Sequence, residues 1–225
     1  MISVAIDGPS GAGKSSMARR LAAELGYTYV DTGAMYRAVG LYALRAGKDP
    51  ADNAAVTALL PQVHLDILLQ DGAQHVLLNG EDVSDAIRQE QVGMAASAVG
   101  ANPAVRAFLL ETQRQLAKSR SVLMDGRDIG TVVLPDATVK IFLTASPEAR
   151  ADRRYAELVA KGQPADYDTV LADIRRRHDQ DTHRAAAPLR RAEDAVLVDT
   201  SDLDIEQSFA ALKQVILDRA AGKQG

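Results

Sequence analysis

Gly8-Pro9-Ser10-Gly11-Ala12-Gly13-Lys14-Ser15 fits the pattern G-x-x-x-x-G-K-[ST] at every fixed position. Glycines at this spacing let successive peptide N–H groups turn toward one anion without a clash at Cβ. Lys14 adds a point charge for the outer phosphates of a polyphosphate, and Ser15 offers a hydroxyl to Mg2+. A helix that begins near Lys14 aims its unpaired N–H groups at the same anion. The flanks agree with this reading. The apolar run 2–6 predicts a buried strand, and Met17, Leu21 and Leu25, four apart, predict an amphipathic helix ended by Gly26. The alternative is a glycine-rich turn that matches by chance, and the strand and helix on either side argue against it.

Outward from the loop, residues 27–30 read as a second strand. Asp31 or Thr32 can cap a helix that runs to about residue 46 and stops at Gly47. The rhythm changes over 63–84. There Val63, Leu65 and Ile67 alternate with polar residues, and Asp71-Gly72 and Asn79-Gly80 are hairpin turn signals, so a small antiparallel sheet is inserted here. Helical segments lead on to about residue 118. Strands then recur at 122–124, 139–143 and 196–198, between helices over 147–160, 166–184 and 205–220. Strands alternating with helices predict an α/β P-loop NTPase fold, a parallel five-stranded sheet with helices on both faces. A small inserted antiparallel β subdomain and a helical lid complete it. The whole of 1–225 is read as one domain. The insert covers about 32–110, its β hairpin part about 60–90, and the lid about 148–165.

Composition limits the function. A net charge of −4 provides no basic surplus for nucleic acid or a membrane surface. The chain has no cysteine, which removes disulfides, thiolate metal sites and Cys nucleophiles. The start, Met1-Ile2-Ser3-Val4, does not read as a signal peptide, and no apolar run approaches a membrane span, so cytoplasm is the expectation. A GTPase would carry N-K-x-D, which is absent, and the chain is short for a motor. Small-molecule kinases are therefore favoured.

A kinase whose acceptor already carries phosphate must bring two anions together, and arginines with bidentate reach are suited to that. On the predicted helix 166–184, the apolar stripe Val170–Ile174 continues at helical spacing into Arg177, Asp181 and Arg184, as if that face entered a polar cleft. A helix end with a solvated Arg177–Asp181 pair fits the same spacing. Arg150, Arg153 and Arg154 cluster on the preceding helix, either as a lid over the donor phosphates or as a solvated basic face. Asp125, at a strand end in Asp125-Gly126-Arg127-Asp128, is placed to approach Mg2+, in part through water. Alternatively it caps a turn in which Gly126 takes a positive φ. His178 and His183 are five apart and read as solvated.

At these residues the chain resembles the bacterial cytidylate kinases. The matching stretches run from Ile6 to Lys14, from Asp31 to Arg37, from Asp125 to Val133, and from Arg184 through Ala187-Pro188-Leu189. They occur in order over most of the chain, and the hairpin insert fits as well. The resemblance implies transfer of the ATP γ-phosphate to CMP or dCMP with Mg2+, with these nucleotides as the small-molecule partners of a monomer. It implies that Gly8, Pro9, Ser10, Gly11, Ala12, Gly13, Lys14, Ser15 and Ser16 surround the donor phosphates, with Ser15 and Asp125 at the metal. It also implies that Thr32, Arg37 and Arg127 lie near the acceptor phosphate, and Ser97, Arg106 and Asp128 around cytosine. Arg177 and Asp181 would lie at the sugar, Arg184 at the acceptor nucleotide, and Arg153 and Arg154 in the lid, with Lys14, Asp125, Arg127, Arg153 and Arg154 acting in catalysis. Thr32 stands where some relatives have Ser, and Ser15-Ser16 where others have Gly-Thr. Kinases for UMP/CMP, dephospho-coenzyme A or shikimate, and a nucleotide-dependent binding protein without phosphotransfer, are the competing readings.

Overall fold

The computed structural model describes residues 1–70, 73–118 and 120–221. The elements are β1 (Ser3–Asp7), α1 (Lys14–Leu25), β2 (Thr28–Asp31), α2 (Thr32–Arg45), α3 (Asn53–Leu59), β3 (Leu65–Gln70), β4 (Ala73–Leu78), β5 (Glu81–Asp82), α4 (Glu90–Val99), α5 (Pro103–Lys118), β6 (Val122–Gly126), β7 (Val139–Thr144), α6 (Pro147–Ala160), α7 (Tyr167–His183), β8 (Val196–Asp199) and α8 (Ile205–Ala221).

The main sheet among these residues has five strands in the order β2-β6-β1-β7-β8, every pair parallel. Its strands are apolar on both faces because each face carries helices. Val4, Ile6 and Leu123 point into a core shared with Leu21 of α1 and Phe209, Leu212 and Ile216 of α8. Their neighbours Ala5, Val122 and Met124 point the other way, into a core shared with Met35 of α2, Val92 of α4 and Leu109 of α5. Period-2 alternation along a strand thus joins two helix layers through one sheet. The second core also takes in Val76 and Leu78 of the inserted sheet, so the insert is packed onto the main domain rather than tethered to it.

The insert is a three-stranded antiparallel sheet, β3-β4-β5, with Leu65 opposite Leu78. Asn79 and Gly80, at φ 51° and 85°, form the two-residue turn from β4 to β5. The other expected turn, Asp71-Gly72, lies outside the described residues. Asp31, rather than Thr32, caps α2 by accepting from the Ala34 N–H at 3.0 Å. Two features were not anticipated. They are the short helix α3, capped by Asp52, and a tight π-type turn over Ile129–Val133 directly after Asp128.

Candidate active site

The loop between β1 and α1 forms one wall of a cleft of about 390 Å³ at the carboxyl ends of β2, β6 and β1. Gly8 starts this loop at φ 152°, and a Cβ there would lie 1.9 Å from the Leu143 carbonyl oxygen of β7. Only glycine fits so close to a neighbouring backbone. Gly13, at φ 87°, precedes the first turn of α1. Lys14 is buried, and its Nζ donates to the Pro9 carbonyl at 2.8 Å. Burial, then the nearby Arg127 charge, holds its pKa well below the usual amine range.

Across the loop, Asp125 is buried at the end of β6. Ser15 Oγ donates to its Oδ2 at 2.7 Å and the Tyr29 hydroxyl to its Oδ1 at 2.9 Å. Burial first, then Asp31, pushes the Asp125 carboxyl up. Gly126 does not take a positive φ, contrary to the turn-cap alternative. It is small for another reason, because a Cβ there would lie 2.7 Å from Ile129 and 2.9 Å from Thr32 Oγ1. Thr32 Oγ1 in turn donates to the Asp125 carbonyl at 2.8 Å. A carboxylate beside a hydroxyl suits Mg2+, which keeps most of its shell for phosphate and water. Among the described residues no group of three or more His, Asp or Glu forms a self-sufficient metal site.

The other walls hold guanidinium groups, most of them beside a carboxylate. Arg37 Nη2 donates to Asp31 at 2.6 Å, while its Nε is buried with no hydrogen-bond partner among the described residues. Arg127 Nε donates to Asp181 at 2.6 Å. Arg106 pairs with Asp128, and its Cζ lies 5.7 Å from the centre of the Tyr36 ring. Arg184 Nη2 stands 3.6 Å from the second oxygen of Asp128, and Arg184 Nε donates to the Ala187 carbonyl at 2.7 Å. Burial pushes the Asp128 carboxyl up, against Arg106 and Arg184. Burial also lowers Arg177 and Arg184.

Ser10, Gly11, Gly13, Lys14, Ser15, Ser16, Thr32, Arg37, Ser97, Arg106, Asp125, Arg127, Asp128, Arg177, Asp181 and Arg184 all line this one cleft. The face Arg177–Asp181–Arg184 therefore enters the cleft and is not a solvated helix end. Ala12 is buried beneath the loop. Two expected residues are elsewhere. Arg153 donates to the Thr200 carbonyl at 2.5 Å and to its Oγ1 at 3.2 Å, and Arg154 pairs with Glu157 at 2.9 Å. The basic residue of α6 that reaches the loop is Arg150, through the Ser10 carbonyl at 3.1 Å. Sequence reading also missed Asp7. It is buried at the end of β1, accepts from the Ile129 and Gly130 N–H groups at 2.7 Å each, and so holds the turn that follows Asp128. The only signal was a carboxylate ending an apolar strand. Tyr29 and Tyr36 gave none beyond ordinary core positions.

Residues 4–217 match the cytidylate kinase family. A cytidylate kinase of Mycobacterium leprae (strain Br4923) is 54% identical over 220 residues, covering 97% of each chain. One from Syntrophotalea carbinolica is 48% identical, covering 96% of this chain and 92% of its own. Among solved structures, an uncharacterized protein from Eubacterium ventriosum ATCC 27560 shares the fold with a TM-score of 0.50 at 12% identity, over 98% of this chain and 99% of its own. No helix among the described residues is long and apolar enough to cross a membrane.

Proposed function

The chain belongs to the cytidylate kinase family, and phosphorylates CMP or dCMP with ATP; from that premise we propose which residues carry the reaction. The observation that carries the assignment is the convergence of Arg37, Arg106, Arg127, Arg177 and Arg184 on one cleft with Lys14.

The donor phosphates lie on the peptide N–H groups of residues 10–14, and Lys14 exchanges the Pro9 carbonyl for their outer oxygens. Thr32, Arg37 and Arg127 hold the acceptor phosphate, with Arg184 behind it. An oxygen of that phosphate attacks the γ-phosphorus as the bond to the β–γ bridging oxygen breaks, giving the diphosphate and ADP. No general base is needed, because a phosphate oxygen is already a nucleophile near neutral pH. The protein's part is positioning and charge compensation. Ser15 and Asp125, the latter in part through water, would hold Mg2+, which neutralises charge on the donor phosphates when bound. Asp128 and Ser97 accept from the cytosine N4 amino group, and Arg106 donates to N3 and O2. Arg177 and Asp181 meet the sugar.

Residues 32–110 act as the monophosphate-binding insert and 148–165 as the lid. On closure Arg153 and Arg154 leave Thr200 and Glu157 for the donor phosphates. The reading places the reaction in the cytoplasm, in a monomer. With net charge −4 and arginines gathered inside the cleft, no nucleic-acid surface is expected.

ADP release measured with CMP, dCMP, UMP, AMP and shikimate tests this reading. CMP and dCMP should exceed UMP by about 100-fold or more in kcat/KM, because uracil leaves buried polar groups facing like groups. Equal use of UMP and CMP would overturn the cytosine site. Tight ATP binding with no turnover of any acceptor would overturn the assigned catalytic roles.

A further inference from the structure

We propose that Gln74 is a positioning residue for the acceptor-phosphate site, joining the inserted sheet to the main sheet at Asp31, the residue that grips Arg37. The proposal rests on the reading of Arg37 as an acceptor-phosphate ligand.

Strand β2 is an edge of the main sheet, so among the described residues one side of its backbone has no neighbouring strand. At Asp31 that side is filled by a side chain. The Asp31 N–H donates to Gln74 Oε1 at 2.7 Å, and Gln74 Nε2 donates back to the Asp31 carbonyl at 3.2 Å. This is the pair of bonds that a residue of an antiparallel sixth strand, placed opposite Asp31, would make with its own C=O and N–H. The amide orientation follows from the partners, since the flipped amide would set N–H against N–H and oxygen against oxygen.

Asp31 is a junction. Its Oδ1 caps α2 at the Ala34 N–H, and its Oδ2 accepts from Arg37 at 2.6 Å. Gln74 therefore fixes the backbone of the residue whose carboxylate aims the arginine. The β4 pattern marks Gln74 as unusual. Residues 74, 76 and 78 share one strand face, and Val76 and Leu78 are 1% and 3% exposed. An amide on that face needs partners for both its ends, and the two free groups of the β2 edge supply them. Asn or Ser at the same position would not span the gap with both bonds, and an apolar residue would leave the Asp31 peptide unpaired.

The test compares KM for CMP and for ATP, kcat and melting temperature in the wild type, Gln74→Leu, Arg37→Ala and the double variant. Leucine keeps the volume and suits the apolar face. Should it fail to fold, Gln74→Met takes its place. Loss of two neutral hydrogen bonds should raise KM for CMP about fivefold to thirtyfold. KM for ATP and kcat should stay within about twofold. In the Arg37→Ala background the same substitution should change KM for CMP by less than about twofold, because its effect passes through Arg37. The proposal is overturned if KM for CMP is unchanged, if both KM values rise together, or if the effect is undiminished without Arg37. An Arg37→Ala protein that uses CMP normally would instead remove the acceptor-phosphate assignment itself.

Discussion

Asp7 has a carboxylate removed from water at the point where β1 turns into the phosphate loop. Burial pushes its pKa up to about 6, although the Gly130 and Ile129 N–H groups pull it back. The unfolded chain has the ordinary value of 3.8. Between these two values the folded protein holds a proton that the unfolded chain has released. Stability therefore falls as pH rises from about 4 to about 6, by about 3 kcal/mol in all for this group, and is flat above. Denaturant unfolding across pH 4–7 should show the stability of the wild type falling with pH relative to that of Asp7→Asn, which has no proton to lose here. A difference that is constant with pH would mean that Asp7 titrates normally. The motif around Asp7 was plain in the sequence, because Gly and Lys at fixed spacing have few other uses. The carboxylate itself was not, because its partners are peptide N–H groups 122 and 123 residues away, and no local pattern encodes them. The same holds for Gln74, whose partner is 43 residues away in another sheet.

At the scale of elements, helix positions were legible and helix faces only in part. Hydrophobic spacing placed α1 and α7 within a residue or so, since a 3.6-residue stripe is a local property. The π-type turn at Ile129–Val133 could not be read, because it exists to bring two N–H groups onto Asp7. On α6 the spacing grouped Arg150, Arg153 and Arg154, yet packing sends them to three destinations: the loop, Thr200 and Glu157. Arg154 discriminates between a lid and a solvated basic face. Its pair with Glu157 is exposed, so breaking it should change stability by no more than about 0.5 kcal/mol. An arginine that closes on the transferring phosphoryl group is worth far more, and Arg154→Ala should lower kcat about 100-fold or more. Steady-state rates alongside melting curves decide the matter. A variant with wild-type kcat would return α6 to a solvated face.

For the molecule as a whole, net charge conceals the arrangement that matters. The sum is −4, while the cleft gathers Lys14, Arg37, Arg106, Arg127, Arg177 and Arg184 against Asp31, Asp125, Asp128, Asp181 and Glu157. Such a cleft is built for anions, and like charges held together in low dielectric oppose folding until ligand arrives. Arg184 bears this cost most clearly. It is partly buried, Arg106 lies beside it and lowers its pKa after burial does, and its Nη2 has no hydrogen bond among the described residues. Arg184→Met should therefore melt no lower than the wild type without nucleotide, since Asp128 keeps Arg106 as its partner. In the wild type, CMP at 100 times its Kd should add about 2.7 kcal/mol, or about 5–10 °C in Tm for a chain of this size. In Arg184→Met that rise should largely vanish. Thermal melts of both proteins with and without CMP are the measurement. A variant that melts more than about 3 °C below the wild type would show that Arg184 stabilises the empty fold. A full CMP response in the variant would show that the acceptor does not use it.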